Sequence, residues 1–229
     1  MTAPERGFPD DEFAARCAAM QAAMAREGVD AMLFASEPEI RYFTGFLTPF
    51  WQSPTRPWFL VLPPEGKPVA VIPSIGGPLM RSCYAGEVIT WSSPAAEDDG
   101  ISLLRDVLRR YLDTTGRLGM MIGRETALRM PLADFLELQQ SIEGTMDNMA
   151  LHNMTAAVQR IRMVKSRREI AKIRYICGLA CDVFEGLPAW VGAGIPLSGL
   201  FRQFKSEALG AGVDDVSYLV GSAGPDGYD

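Results

Sequence analysis

From residue 11 to about residue 150 the chain alternates between stretches of helical periodicity and short apolar runs of strand length. That alternation is the tightest limit on what it can fold into. A helix must cover one apolar stripe and a strand one or both of its faces, so alternating segments build helices layered on a sheet, an α/β fold. The first segment is Asp11 to Glu27, where Phe13, Cys17, Met20 and Met24 recur at helical spacing. Asp10 or Asp11 is placed to cap its start and Gly28 to end it. Val29 to Ala35 is a short apolar run that predicts a strand. Ser36-Glu37-Pro38-Glu39 then opens a brief helix carrying Ile40, Tyr42 and Phe43 up to Gly45.

Residues 46 to 57 hold Phe46, Pro49, Phe50, Trp51, Pro54 and Pro57, a composition that predicts a shaped loop. Trp58 to Leu62 and Val69 to Ile72 predict two strands of a hairpin joined through Pro63-Pro64-Glu65-Gly66-Lys67-Pro68. Glu87 to Trp91 and Arg117 to Ile122 predict further strands. Asp98 and Asp99 are placed to cap a helix with Ile101, Leu104, Leu108 and Leu112, and Leu132 to Ile142 predicts another helix. After Met154 the pattern changes. Arg160 to Phe184 reads as one long amphipathic segment with Ile161, Val164, Ile170, Ile173, Cys177, Ala180 and Phe184 near one face, which puts a domain boundary near residue 157. A helix from Leu197 to Leu209, a strand from Asp215 to Val220 and a glycine-rich stretch from Gly221 to Asp229 complete the reading.

The 229 residues suffice for about one and a half domains. With 48% apolar and 22% charged residues the chain is core-forming, neither disordered nor membrane-embedded. The uncharged window from Gly186 to Phe201 is too short for a spanning helix and is broken by Pro188, Gly192, Gly194, Pro196 and Gly199. A net charge of −6 provides no global field for a polyanion, so neither nucleic acid nor a membrane is expected as a partner. The N-terminal MTAPERGFPDDEF carries acids where a secretory signal needs basic and apolar residues, which predicts a cytoplasmic protein. Cys17, Cys83, Cys177 and Cys181 lack CxxC spacing and read as buried thiols of a reducing compartment.

Chemistry-bearing patterns are sparse. The one histidine, His152, lies in no HExxH and near no GxSxG, and reads as a surface or inter-element residue. Cys177 and Cys181 share a helix face, where two core thiols are a simpler reading than a soft-metal pair. Gly192-Ala193-Gly194 and the terminal GSAGPDG match neither dinucleotide nor P-loop patterns. The basic run from Arg160 to Arg174 is interrupted by Glu169 and reads as a solvated or interdomain face.

Two motifs carry a family resemblance. Gly28-Val29-Asp30-Ala31-Met32-Leu33 followed by Ile40-Arg41-Tyr42-Phe43-Thr44-Gly45-Phe46 resembles the "GvDallv…niryltGf" opening of the creatinase, prolidase and Xaa-Pro aminopeptidase family. Arg162-Met163-Val164-Lys165-Ser166-Arg167-Arg168-Glu169-Ile170-Ala171-Lys172-Ile173-Arg174 is similar to the "R.iKs..Ei..ir" helix that opens the catalytic domain of that family. The resemblance implies a mixed-sheet creatinase-type N-terminal domain over residues 1–156, then an incomplete pita-bread α/β domain over 157–229. It further implies a cytoplasmic homodimer whose full-length form binds two divalent metal ions (Mn, Co or Zn). Such an enzyme hydrolyses a peptide with proline after the scissile bond, or a small amide, by a metal-activated water.

The family's metal-binding aspartates and glutamates would lie beyond residue 229, so the chain by itself is expected to be inactive, without metal ligand or cofactor of its own. Near Asp214 to Asp229, where many members present a histidine, none occurs, and Ser198 is followed by Gly199 where the family often has a Thr/Ser-Glu pair. In the Xaa-Pro-cleaving members of the family, a loop of one subunit's N-terminal domain reaches the neighbour's active site. By that likeness Trp51 and Arg56 are candidate substrate-facing residues, against the alternative that Trp51 and Trp58 are core or interface aromatics. A stand-alone dimerisation or binding module derived from the family is the other functional reading.

Overall fold

Residues 2–53, 56–112, 116–143 and 150–222 are described by the structure, a computed structural model. They fall into two compact units, Gly7–Val164 and a second made of Lys165 onward with the N-terminal residues through Arg6. The first unit contains α1 (Asp10–Glu27), β1 (Ala31–Phe34), α2 (Glu37–Thr44), β2 (Phe59–Leu62), β3 (Val69–Pro73), α3 (Gly77–Arg81) and β4 (Val88–Trp91). It continues with α4 (Ile101–Leu108), β5 (Arg117–Met120), α5 (Leu132–Glu143), β6 (Ala150–Asn153) and α6 (Thr155–Met163). Its six strands form one mixed sheet in the order β4-β3-β2-β1-β5-β6. β1, β2 and β3 pair antiparallel as a meander, while β4, β5 and β6 add in parallel at the two sides.

The period-two geometry of strands splits the core between the two faces of this sheet. Met32, Phe34, Leu60, Leu62 and Ile72 pack with Met20 and Met24 of α1, Ile40 and Phe43 of α2, and Val158 of α6. Ala31, Leu33, Phe59, Val61 and Val71 pack on the other side with Ile101, Leu104 and Leu108 of α4 and Leu138 of α5. Helices on both faces explain why β1, β2 and β3 are continuous apolar runs rather than alternating ones. Burying a Leu, Phe or Met side chain contributes about 1.5–3 kcal/mol, so the two clusters are the main source of stability. Cys17 lies in this core, and burial pushes its thiol up to about 12, with Arg16 pulling the other way.

Several sequence expectations need correction. Asp10 and Asp11 lie in the first turn of α1, favourable there to the helix dipole, while Pro9 is the N-cap residue. β6 is an additional strand, only partly buried, held by its ladder to β5, by the bonds of His152 and by Leu151 against the second core cluster. The long segment from Arg160 to Phe184 is two helices. α6 ends at Met163, Val164 is extended, and Ser166 starts α7 (Arg167–Gly186). Ser166 Oγ accepts from Glu169 N at 3.1 Å and Glu169 Oε2 accepts from Ser166 N at 2.8 Å, a reciprocal cap that interrupts the apolar periodicity. Ala157 and Val158, beyond the boundary expected near residue 157, pack in the first unit's core.

In the second unit α7 is followed by α8 (Leu197–Gly210), which packs against it through Phe184 and Phe204, 4.9 Å between ring centroids. Residues 215–220 form no strand, because no neighbour pairs with them among the described residues. The glycine-rich stretch expected to follow lies, beyond Ser222, outside the described residues. Cys177 and Cys181 are exposed rather than core thiols, since Val183 is the single buried residue that α7 presents.

Candidate functional site

Trp51 owes its position to the short 3-10 turn Pro49–Gln52. Thr48 caps that turn by accepting from Phe50 N at 3.3 Å, and Pro49 sets its first residue in a helical conformation. The turn points Phe50 outward, 45% exposed, and buries Trp51, 4% exposed. The indole of Trp51 meets Trp58 at 5.6 Å and Phe46 at 6.4 Å between centroids, and Phe46 lies 5.4 Å from Trp58. Most of this ring cluster is therefore core. Its margin is not: Trp51 also lines an open groove of about 440 Å³ with Glu37, Pro38, Gln52, Leu128 and Arg129.

Arg129 approaches from the stretch between β5 and α5. Its guanidinium carbon lies 5.2 Å from the Trp51 ring centroid, and its Nη2 donates to the Ser53 carbonyl. Arg56 is half-buried and is not among the described residues lining the groove. The structure thus places Trp51 on the groove and Arg56 off it. Both carry a buried N–H without a partner among the described residues, Trp51 Nε1 and Arg56 Nε, and Trp58 Nε1 is a third in the same stretch. An unmet buried donor costs about 1–3 kcal/mol, which an incoming acceptor would recover. Pro54, also part of the expected loop, lies outside the described residues.

The remaining candidates resolve into structural contacts. Arg117 can only donate, so His152 Nδ1 must accept its Nη2 at 2.6 Å. The neutral ring then carries its proton on Nε2 and donates to Glu27 Oε2 at 3.0 Å. His152 thereby ties β6 to β5 and to the end of α1, and no nucleophile is among these partners. Arg162 donates to the buried carboxylate of Glu39, which also accepts from Ser36 Oγ, and its guanidinium lies 5.8 Å from the Tyr42 ring. Through Glu39, the residue just before Ile40 on α2, the helix that carries part of the first motif is thus joined to Arg162 of the second. No group of three His, Cys, Asp or Glu side chains able to hold a metal occurs among the described residues. No helix is long and apolar enough to cross a membrane among the described residues.

The profile described as Creatinase/Prolidase N-terminal domain matches residues 16–164. The chain belongs to that family. Creatinase from Bacillus sp. (strain B-0618) is 29% identical over 194 residues, 80% of this chain and 43% of the relative. Among solved structures, a prolidase from Thermococcus sibiricus superposes with a TM-score of 0.74 at 21% identity, over 90% of this chain and 52% of that one. A dipeptidase from Mycobacterium ulcerans gives 0.71 at 20% identity, over 94% and 54%. An X-Pro aminopeptidase from Thermotoga maritima gives 0.65 at 17% identity, over 87% and 50%. The mixed six-stranded sheet is the creatinase-type N-terminal fold, and the chain spans about half the length of the relatives it matches.

Nothing in the sequence singled out Arg129, which sits 76 positions from Ser53 in an irregular stretch. Its signal is purely tertiary.

Proposed function

We propose that the chain is the N-terminal part of a metal-dependent amidohydrolase of the creatinase/prolidase type, inactive alone and completed by a pita-bread catalytic domain that begins with α7 and α8. The whole enzyme is a cytoplasmic homodimer that binds two divalent ions (Mn, Co or Zn) through residues beyond 229. It hydrolyses a peptide with proline after the scissile bond, or a small amide. Family membership supports the hydrolase class, and the names of the relatives, creatinase, prolidase, dipeptidase and X-Pro aminopeptidase, are consistent with those two kinds of substrate. The second unit supports the incomplete domain: Ile170 is 38%, Ile173 45% and Phe184 56% exposed, apolar surface that a further layer would cover. Leu47, Phe50, Ile75 and Leu79, on the segments that flank Phe46, Trp58 and Gly76, are exposed and support a second copy docking there.

Within that enzyme Trp51 and Arg56 reach the neighbour's substrate. The observation that carries this reading is the pair of buried N–H donors, without a partner among the described residues, on one short stretch: Trp51, which lines a groove, and Arg56 further along the chain. Donors of that kind suit a carboxylate or carbonyl of the substrate. In the natural full-length dimer, with alanyl-proline as substrate, Trp51→Ala is expected to raise KM with kcat preserved. The rise is about 2- to 12-fold if the lost aromatic contact is worth about 0.5–1.5 kcal/mol. An unchanged KM removes Trp51 from the substrate site. The intact mass of the natural protein tests the larger claim: a value well above 25.0 kDa is required, and one at 25.0 kDa refutes it.

A further inference from the structure

Two contacts made by Arg129 converge on the stretch that carries Trp51. Its guanidinium lies over the indole, 5.2 Å from the centroid, and its Nη2 donates to the Ser53 carbonyl two residues on. A planar guanidinium can stack on a ring and donate in its own plane at once, which an ammonium cannot do. The Trp51 backbone N–H donates to the Thr48 carbonyl at 3.3 Å, but the indole has no hydrogen bond to fix it, since Nε1 is without a partner among the described residues. The 3-10 turn that bears it spans only Pro49–Gln52. On the groove side, Arg129 contributes both a ring contact and a bond to the Ser53 carbonyl, while Glu37, Pro38 and Leu128 also line the groove.

We infer that Arg129 is a positioning residue: it locks the Trp51–Ser53 stretch in its groove-lining conformation and so sets how the indole is presented. The role rests on the reading of Trp51 as substrate-facing, but the conformational lock is separately measurable. It also predicts where specificity is tuned. A change at Arg129, on a different part of the chain, alters the orientation of Trp51 without touching substrate.

The test compares Arg129→Met and Arg129→Lys in the 229-residue chain. The emission of Trp51 is isolated as the difference from Trp51→Phe, because Trp58, Trp91 and Trp190 also fluoresce. Acrylamide quenching of that difference signal is expected to rise about twofold or more in Arg129→Met, as a locally released ring gains solvent access. In Arg129→Lys the charge is kept and the planar fork lost, so the rise is partly reversed. Unchanged far-ultraviolet circular dichroism shows that the fold persists. Equal quenching in all three proteins overturns the inference. The second arm uses the full-length enzyme and alanyl-proline, where Arg129→Met is expected to raise KM and spare kcat. If Trp51→Ala leaves KM unchanged while Arg129→Met still loosens Trp51, the substrate reading fails and the lock stands. If Trp51→Ala raises KM while Arg129→Met alters neither KM nor quenching, the lock fails and the substrate reading stands.

Discussion

Gly76 gives the sharpest test of the packing around the candidate site. Its backbone is ordinary, with φ −88° and ψ −9°, so an alanine there meets no conformational penalty. The space is the obstacle. A methyl on Gly76 would lie 2.3 Å from Trp58 Cζ3, 2.8 Å from Trp58 Cη2 and 3.3 Å from Phe46 Cζ. Trp58 is fully buried and is held between Phe46 and Trp51, so its ring has no free direction in which to yield. Restoring normal contact requires a displacement of about 1 Å in a close-packed interior. Overpacking of this kind costs about 1–3 kcal/mol, and a rigid indole puts Gly76→Ala near the upper end. For a domain of this size about 3 kcal/mol lowers the melting midpoint by about 6–12 °C. Thermal unfolding followed by near-ultraviolet circular dichroism reads both the midpoint and the tryptophan cluster, and Gly66→Ala is the control. Gly66 faces open space with φ +84°, so that change adds backbone strain alone, about 1 kcal/mol, and leaves the aromatic signal intact. A Gly76→Ala protein that melts within about 2 °C of the parent, with an unchanged aromatic spectrum, would refute the packing argument.

Two further outcomes follow from single groups. Asp98 caps α4 by accepting from Ile101 N at 2.7 Å and Ser102 N at 3.2 Å. Burial raises its pKa, but the bonds from Ser102, Ile101 and Gly100 outweigh that and hold it below 3.8. A depressed carboxylate stabilises the fold above its unfolded value and loses that contribution as pH falls through the folded one. Asp98→Ala is therefore expected to cost about 1 kcal/mol at pH 7, and the difference between variant and parent should close in the acid range below 3.8. A pH-independent difference in urea midpoints contradicts the cap. Arg162→Ala strands Glu39, whose side chain is 6% exposed, with Ser36 as its remaining partner shown. Because Arg162 is itself 37% exposed, the loss falls at or below the low end of the range for buried pairs, about 3 kcal/mol. A urea midpoint indistinguishable from the parent would show that Glu39 rehydrates freely.

The sheet's centre was legible in the sequence because β1, β2 and β3 are buried on both faces and so appear as unbroken apolar runs. β6 was not, since Ala150-Leu151-His152-Asn153 has no strand-like pattern and exists through its pairing with Arg117–Met120 and the bonds of His152. The break between α6 and α7 was written in Ser166 and Glu169, yet continuous apolar spacing across it masked the cap. The family motifs illustrate a different limit. Arg162, Ser166 and Glu169 are among the residues that make the family recognisable, and their contacts, Arg162 with Glu39 and Ser166 with Glu169, hold the fold together. Trp51 was visible as an unusual aromatic in a proline-rich stretch. Arg129 was not, because cation–π and carbonyl contacts across 76 residues leave no trace in local composition.

The reciprocal cap at Ser166 also bears on inheritance. The start of α7 is specified by residues 166–169 among themselves, and Val164, separated from Ser166 by Lys165 alone, is 77% exposed. A crossover between two relatives at Val164–Lys165 would leave the core of the first unit and the first turn of the second each with its own native partners. The exposed Arg6–Asp214 ion pair would be exchanged at little energetic consequence. Such a joint lets recombination shuffle the two parts as cassettes, so each can acquire its sequence changes on a separate evolutionary schedule.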